Sequence, residues 1–120
     1  MERTKWWQSL LPVLQSFADI NYQRKAWLIA GPDTTSPVEM YCELFDDQLF
    51  ESFYETYADS FTIEQKETWV SFSEALEGCS GVINESFPPV ALLTHPCWEK
   101  VRFSAAMLLH SFNEPSSYGG

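Results

Sequence analysis

A chain of 120 residues and 13.8 kDa has room for one real hydrophobic core and not for two domains of ordinary size. Its 45% hydrophobic and 16% aromatic content excludes an intrinsically disordered polymer. A net charge of −10 argues against nucleic acid and anionic membrane as ligands and for a basic partner, whose approach an acidic field speeds.

The charge is local. Residues 39–77 hold eleven of the seventeen acids against Lys66 alone, so that segment carries the whole imbalance. Arg3, Lys5, Arg24 and Lys25 precede it, and Lys100 and Arg102 follow. Cys42, Cys79 and Cys97 are odd in number and far apart, unlike the disulfide framework of a small secreted domain. They point to a reducing cytosol, with Cys97 as a small buried apolar residue, and hence to a cytoplasmic protein. "WWQSLLPVLQSFA" follows two cations, yet Gln8, Ser9, Pro12 and Gln15 interrupt it, so it is not read as a signal peptide. No apolar run reaches the length of a membrane span, which predicts a soluble chain.

Taken in chain order, Trp6, Leu10, Val13 and Phe17 recur at steps of three and four and predict a helix over about residues 4–18. Pro12 within it implies a late start or a kink. "DINYQRKAWLIAG" reads as a second helix capped by Asp19 or Asn21 and stopped at Gly31–Pro32, although "AWLIA" also suits a buried strand. "GPDTTSP" is a loop, and Ser36-Pro37-Val38-Glu39 is a capping box that starts a helix at Pro37.

Beyond Pro37 the apolar phase breaks. Tyr41, Leu44 and Phe45 share one azimuth, while Phe50, Phe53, Tyr54 and Tyr57 lie about 120–170° away, so one straight helix cannot bury both sets. The chain must kink or restart near Asp46-Asp47, with either aspartate able to cap the second piece. Thr62-Ile63-Glu64-Gln65 is another capping box, leading a helix through Trp69, Phe72 and Leu76 to Gly78. "CSGVINESFPPVALL" is irregular, since Pro88-Pro89 forbids a helix through it. Thr94 caps a last helix in which Trp98, Val101, Ala105, Leu108, Leu109 and Phe112 line one face. The sum is an all-α, compact single-domain bundle of five or six helices over residues 1–112, with a flexible C-terminal tail over 113–120.

The acidic stretch "EMYCELFDDQLFESFYETYAD" places carboxylates every four residues with no Lys or Arg between them, although like charges at that spacing repel by about 0.2–0.5 kcal/mol per pair. A solvated face that keeps an aromatic-rich protein dispersed is the plain explanation. The aromatic neighbours favour a docking surface, in which buried rings anchor and a carboxylate rim steers. Glu43, Asp46, Asp47, Glu51, Glu55 and Asp59 are the candidate contacts, and Tyr54 and Tyr57 the candidate anchors. Asp46 with Asp47, or Glu43 with Asp47, resembles a paired-carboxylate site, but adjacent acids at a kink are more often caps. His95 near Cys97 suggests a zinc site or a thiol nucleophile, yet lacks paired CxxC units. No motif for catalysis, phosphate binding, metal or cofactor stands in the chain, which predicts a protein that is not an enzyme.

"DINYQRKAWLIAGP", "CELFDDQLFESF", "TIEQKETWVSFSEAL" and "THPCWEKVRFSAAMLLHSF" occur in an order that resembles the small acidic bacterial immunity proteins of contact-dependent growth inhibition and related polymorphic toxin systems. The resemblance covers about residues 17–112. It implies a stoichiometric inhibitor that binds a cognate basic toxin domain, often a nuclease, in the cytosol and occludes its active or substrate-binding site. It assigns no catalytic residue and leaves self-association open. Two other readings stand beside it: an acidic nucleic-acid mimic or regulatory subunit for a basic host protein, and a small carboxylate-dependent hydrolase.

Overall fold

The computed structural model describes residues 2–29, 31 and 34–114, and its first element, α1 (Arg3–Ala18), passes through Pro12 without a break. Of the late start or kink expected at Pro12, the late start does not occur. Pro12 is exposed, so its ring displaces no packed neighbour, but it removes one N–H donor and crowds the carbonyl four residues before it. Asp19 ends α1 in an extended conformation and caps α2 (Ile20–Leu28) by accepting the Tyr22 N–H at 3.0 Å. The "AWLIA" strand alternative is thereby removed. α2 stops at Leu28, and Pro32 of the expected Gly31–Pro32 stop lies outside the described residues.

The central segment forms α3 (Pro37–Cys42), a π-helical turn (Glu43–Asp47), α4 (Phe50–Tyr57) and a 3-10 turn (Ala58–Ser60). α5 (Ile63–Cys79) begins with a complete capping box, Gln65 N–H to the Thr62 hydroxyl at 3.1 Å and Thr62 N–H to Gln65 Oε1 at 2.9 Å. Gly78 does not stop it, and α5 ends at Cys79 instead. No helix runs through Pro88-Pro89, but the stretch is not irregular to its end: Pro89 occupies the first position of α6 (Pro89–Leu93), where its missing N–H is not needed. The last helix, α7 (Pro96–Ser111), is capped by His95, whose Nδ1 accepts the Cys97 N–H at 3.1 Å, and not by Thr94.

The described residues thus form an all-α bundle of six helices and the single turn α6, with no strand. α5 and α7 make the most extensive interface, and α1 lies across α7. Phe17, Phe50, Phe53, Phe72 and Trp98 are fully buried at the centre. The Cα radius of gyration, 13.9 Å, is near the value of about 13.6 Å for a compact chain of this length. Gln23 is also fully buried, and both its amide donors and its carbonyl oxygen are engaged. Its amide donates to the Ser16 and Phe17 carbonyls, 2.9 Å each, and its Oε1 accepts the Trp98 indole N–H at 3.0 Å. The carbonyls of the last turn of α1, which have no partner within the helix, are satisfied in this way.

Two sequence expectations are corrected by tertiary pairing. Cys79 and Cys97 form a disulfide with a Cα separation of 5.4 Å, leaving only Cys42 as a free, exposed thiol among the described cysteines. The tail predicted from residue 113 is tied down at its start, because Glu114 accepts the Trp7 indole N–H at 2.8 Å. Residues 115–120 lie outside the described set.

Candidate functional site

The phase break in the central segment is resolved by two backbone devices. Ser36 starts α3 by accepting the Glu39 N–H at 3.1 Å, while the Glu39 carboxylate takes the Thr35 hydroxyl at 3.1 Å, so only half of that capping box forms. The helix then widens over Glu43–Asp47, and the Gln48 N–H reaches the Glu43 carbonyl at 2.9 Å, a five-residue step that rotates the following side chains. Leu49 turns the chain in the left-handed region, φ 51° and ψ 53°, and α4 starts at Phe50. Leu44, Phe50 and Phe53 can then all be fully buried. Neither Asp46 nor Asp47 caps α4, contrary to expectation, because no side chain bonds its first turn. The joint is held from outside: the Trp6 indole N–H donates to the Gln48 carbonyl at 2.8 Å.

With the aspartates released from capping, the acids point outward. Glu43, Asp46 and Asp47 lie on the π turn, Glu51 and Glu55 one turn apart on α4, and Asp59 on the 3-10 turn, all of them exposed. None of the six carboxylates has a described Lys or Arg paired with it. The two tyrosines named with them are placed differently. Tyr54 is half-buried and stacks on Trp69 at 5.7 Å, and Tyr57 meets Trp6 edge-on at 6.0 Å. Their rings belong in part to the molecule's own core. Leu49 takes the more prominent place, 48% exposed at the joint.

Beside Leu49 a shallow cleft of about 350 Å³ is lined by Tyr41, Phe45, Asp46, Leu49, Glu51 and Ser52. Tyr41 and Phe45 pack with ring centroids 4.6 Å apart. Partial burial raises the Tyr41 phenol above its ordinary pKa, and the negative charges of Glu51, Cys42, Glu77 and Asp46 raise it further. The joint therefore combines an aliphatic knob, aromatic walls and unneutralised carboxylates.

The disulfide takes Cys79 and Cys97 out of any thiolate set near His95. Among the described residues no three His, Cys, Asp or Glu side chains come together as a metal-binding group, and no helix is long and apolar enough to cross a membrane. Leu49 was missed by sequence reasoning, and no residue pattern signals it, because leucine has no preference for left-handed backbone. No family model matches the chain, and neither a curated protein nor a solved structure matches it.

Proposed function

We propose that the protein is an immunity protein that binds a cognate basic toxin domain, a nuclease in the simplest case, and covers its active or substrate-binding site with the acidic joint. The carrying observation is the set of six exposed carboxylates without cationic partners around the protruding Leu49. A nuclease presents Lys and Arg to phosphate, and carboxylates at this joint would occupy the same cations and exclude the nucleic acid. Nanomolar protection needs about −12 kcal/mol, while exposed ion pairs give up to about 1 kcal/mol each, so the apolar centre must supply much of the affinity. In this reading Glu43, Asp46, Asp47, Glu51, Glu55 and Asp59 steer and select, Leu49 anchors, and Tyr54 and Tyr57 stiffen the surface from behind.

No catalytic step is assigned, and the role is stoichiometric. The resemblance in motif order to contact-dependent growth inhibition immunity proteins supports the same reading. Cytoplasmic action now rests on that role alone, since the cysteine argument for a reducing compartment loses its premise with the Cys79–Cys97 bond.

Two measurements test the proposal. Affinity capture from the cells that make the protein should return a basic, nuclease-like domain encoded in the same genome, and recovery of an acidic partner or of none would reject it. Reversing Asp47, Glu51 and Glu55 to Lys should slow association with that domain about 100-fold at low salt while the circular dichroism spectrum stays unchanged. Full protection of cells by the triple variant would sink the surface assignment.

A further inference from the structure

The Cys79–Cys97 bond joins two unlike sulfurs. Cys79 ends α5 at 0% exposure. Cys97, in the first turn of α7, is half-buried and lines an open cleft of about 690 Å³ together with Glu74, Gly78, His95 and Lys100. A side-chain carbon at Gly78 would find no atom within 4 Å, so nothing crosses the cleft on that side. Solutes in water therefore reach Cys97 and not Cys79.

Once the bond is reduced, the surroundings treat the two thiols differently. Cys97 takes the second position of a 16-residue helix, where unpaired N–H groups carry partial positive charge and favour a thiolate. Lys100 stands one turn further along the same face and lines the same cleft, against the single carboxylate of Glu74. Glu99, two residues from Cys97, lies on another face. Cys79 has the opposite setting: it closes α5 at the end of partial negative charge, inside the core, and stays a thiol. Cys42 supplies an internal comparison, exposed and next to Glu43 in the acidic segment.

We propose that Cys97 is a site of modification by hydroperoxides and Cys79 its buried resolving partner, so that the bond between α5 and α7 is a redox switch and not a permanent staple. The Cys97 thiolate attacks one peroxide oxygen, the O–O bond breaks, and the departing oxygen takes a proton from water, leaving Cys97 as a sulfenic acid. The Cys79 thiol then attacks that sulfur, the S–O bond breaks, and water leaves with the Cys79 proton as the disulfide forms. One peroxide is reduced and two thiols are oxidised. In the return direction a small thiol enters the cleft, attacks Cys97 and expels Cys79, which takes up a proton; a second such thiol attacks the sulfur of the first and frees Cys97. Hydrogen peroxide is uncharged, so the net charge of −10 does not repel it. The fold is built to tolerate the open bond. The disulfide closes only the stretch 80–96 with α6, while the other end of the α5–α7 pair is held by Thr68 with the Ser111 hydroxyl at 2.8 Å and by Gln65 with the Ser111 carbonyl at 3.2 Å.

The full chain, reduced with dithiothreitol and then freed of it, is treated with hydrogen peroxide in the presence of dimedone, which traps sulfenic acids, and the products are mapped by mass spectrometry. In the native chain the Cys79–Cys97 bond should return about tenfold faster than Cys42 is oxidised. Cys79→Ser should collect the adduct on Cys97, and Cys97→Ser should give none on Cys79. Lys100→Glu should slow the oxidation about threefold, and Gly78→Leu, which sets a side chain over the cleft, should slow it with the helical circular dichroism unchanged. Millimolar glutathione should reopen the bond in the native chain, which keeps its helical spectrum but melts about 10 °C lower. Cys42 reacting as fast as Cys97, an adduct on Cys79, or a rate indifferent to both Lys100→Glu and Gly78→Leu overturns the proposal. So does a bond that glutathione leaves closed, or loss of the helical spectrum on reduction, which would make the bond a staple. None of these readings depends on what the acidic joint binds.

Discussion

Gln23 is a polar side chain at 0% exposure whose three hydrogen bonds join the end of α1 to Trp98 of α7. Replacing it by Ala leaves two carbonyls and an indole N–H without partners in a closed core, so Gln23→Ala should cost about 3 kcal/mol in chemical denaturation. A loss below about 0.5 kcal/mol would show that water takes over these bonds. Tyr41 gives a second prediction. One phenol should ionise above the ordinary 10.0 in an ultraviolet titration, and Glu51→Gln should lower that midpoint without removing the rise, because burial is the larger cause. Below pH 10.0 the phenol keeps its proton in both folded and unfolded chains and adds no pH dependence. Above it the unfolded chain loses the proton first, so stability falls as pH rises until the folded phenol ionises too. Tyr41→Phe should flatten that part of the profile.

Among the elements, the joint between α3 and α4 sets backbone cost against function. A leucine held left-handed costs about 1 kcal/mol, and Leu49 keeps 48% of its surface exposed in return. Leu49→Gly should therefore leave stability within about 1 kcal/mol of the native chain, or raise it, while weakening association with the proposed basic partner at least tenfold. A variant that binds as tightly as the native protein would remove Leu49 from the surface. The break itself was legible, since the phases of Leu44 and Phe53 cannot share one straight helix. The means were not, because a π turn and a left-handed leucine both run against local preference. The Thr62–Gln65 box was readable because it is closed by residues three apart. The caps at Asp46, Asp47 and Thr94 misled for the opposite reason: those side chains suit a cap, but the tertiary path gives the work to backbone at Leu49 and to His95. The Cys79–Cys97 bond and the buried role of Gln23 depend on how α5, α2 and α7 come together, which no local pattern encodes.

For the molecule as a whole, the position of charge matters more than its total. The acidic segment turns its carboxylates outward at the joint while sending Leu44, Phe50 and Phe53 into the core. Association driven by this field should slow steeply with added salt, as the screening length falls from about 10 Å at 0.1 M to about 3 Å at 1 M. The triple variant at Asp47, Glu51 and Glu55 should lose most of that slope. A steep dependence retained in the variant would move the steering charge elsewhere.

Trp6 and Trp7 are neighbours in the opening turns of α1, yet one indole grips the π turn at Gln48 and the other grips Glu114 near the far end of the chain. A single cut behind these two residues would release two distant moorings at once. Trp6 and Trp7 thus act as a clasp, and removing them would loosen the acidic edge before it disturbed the centre.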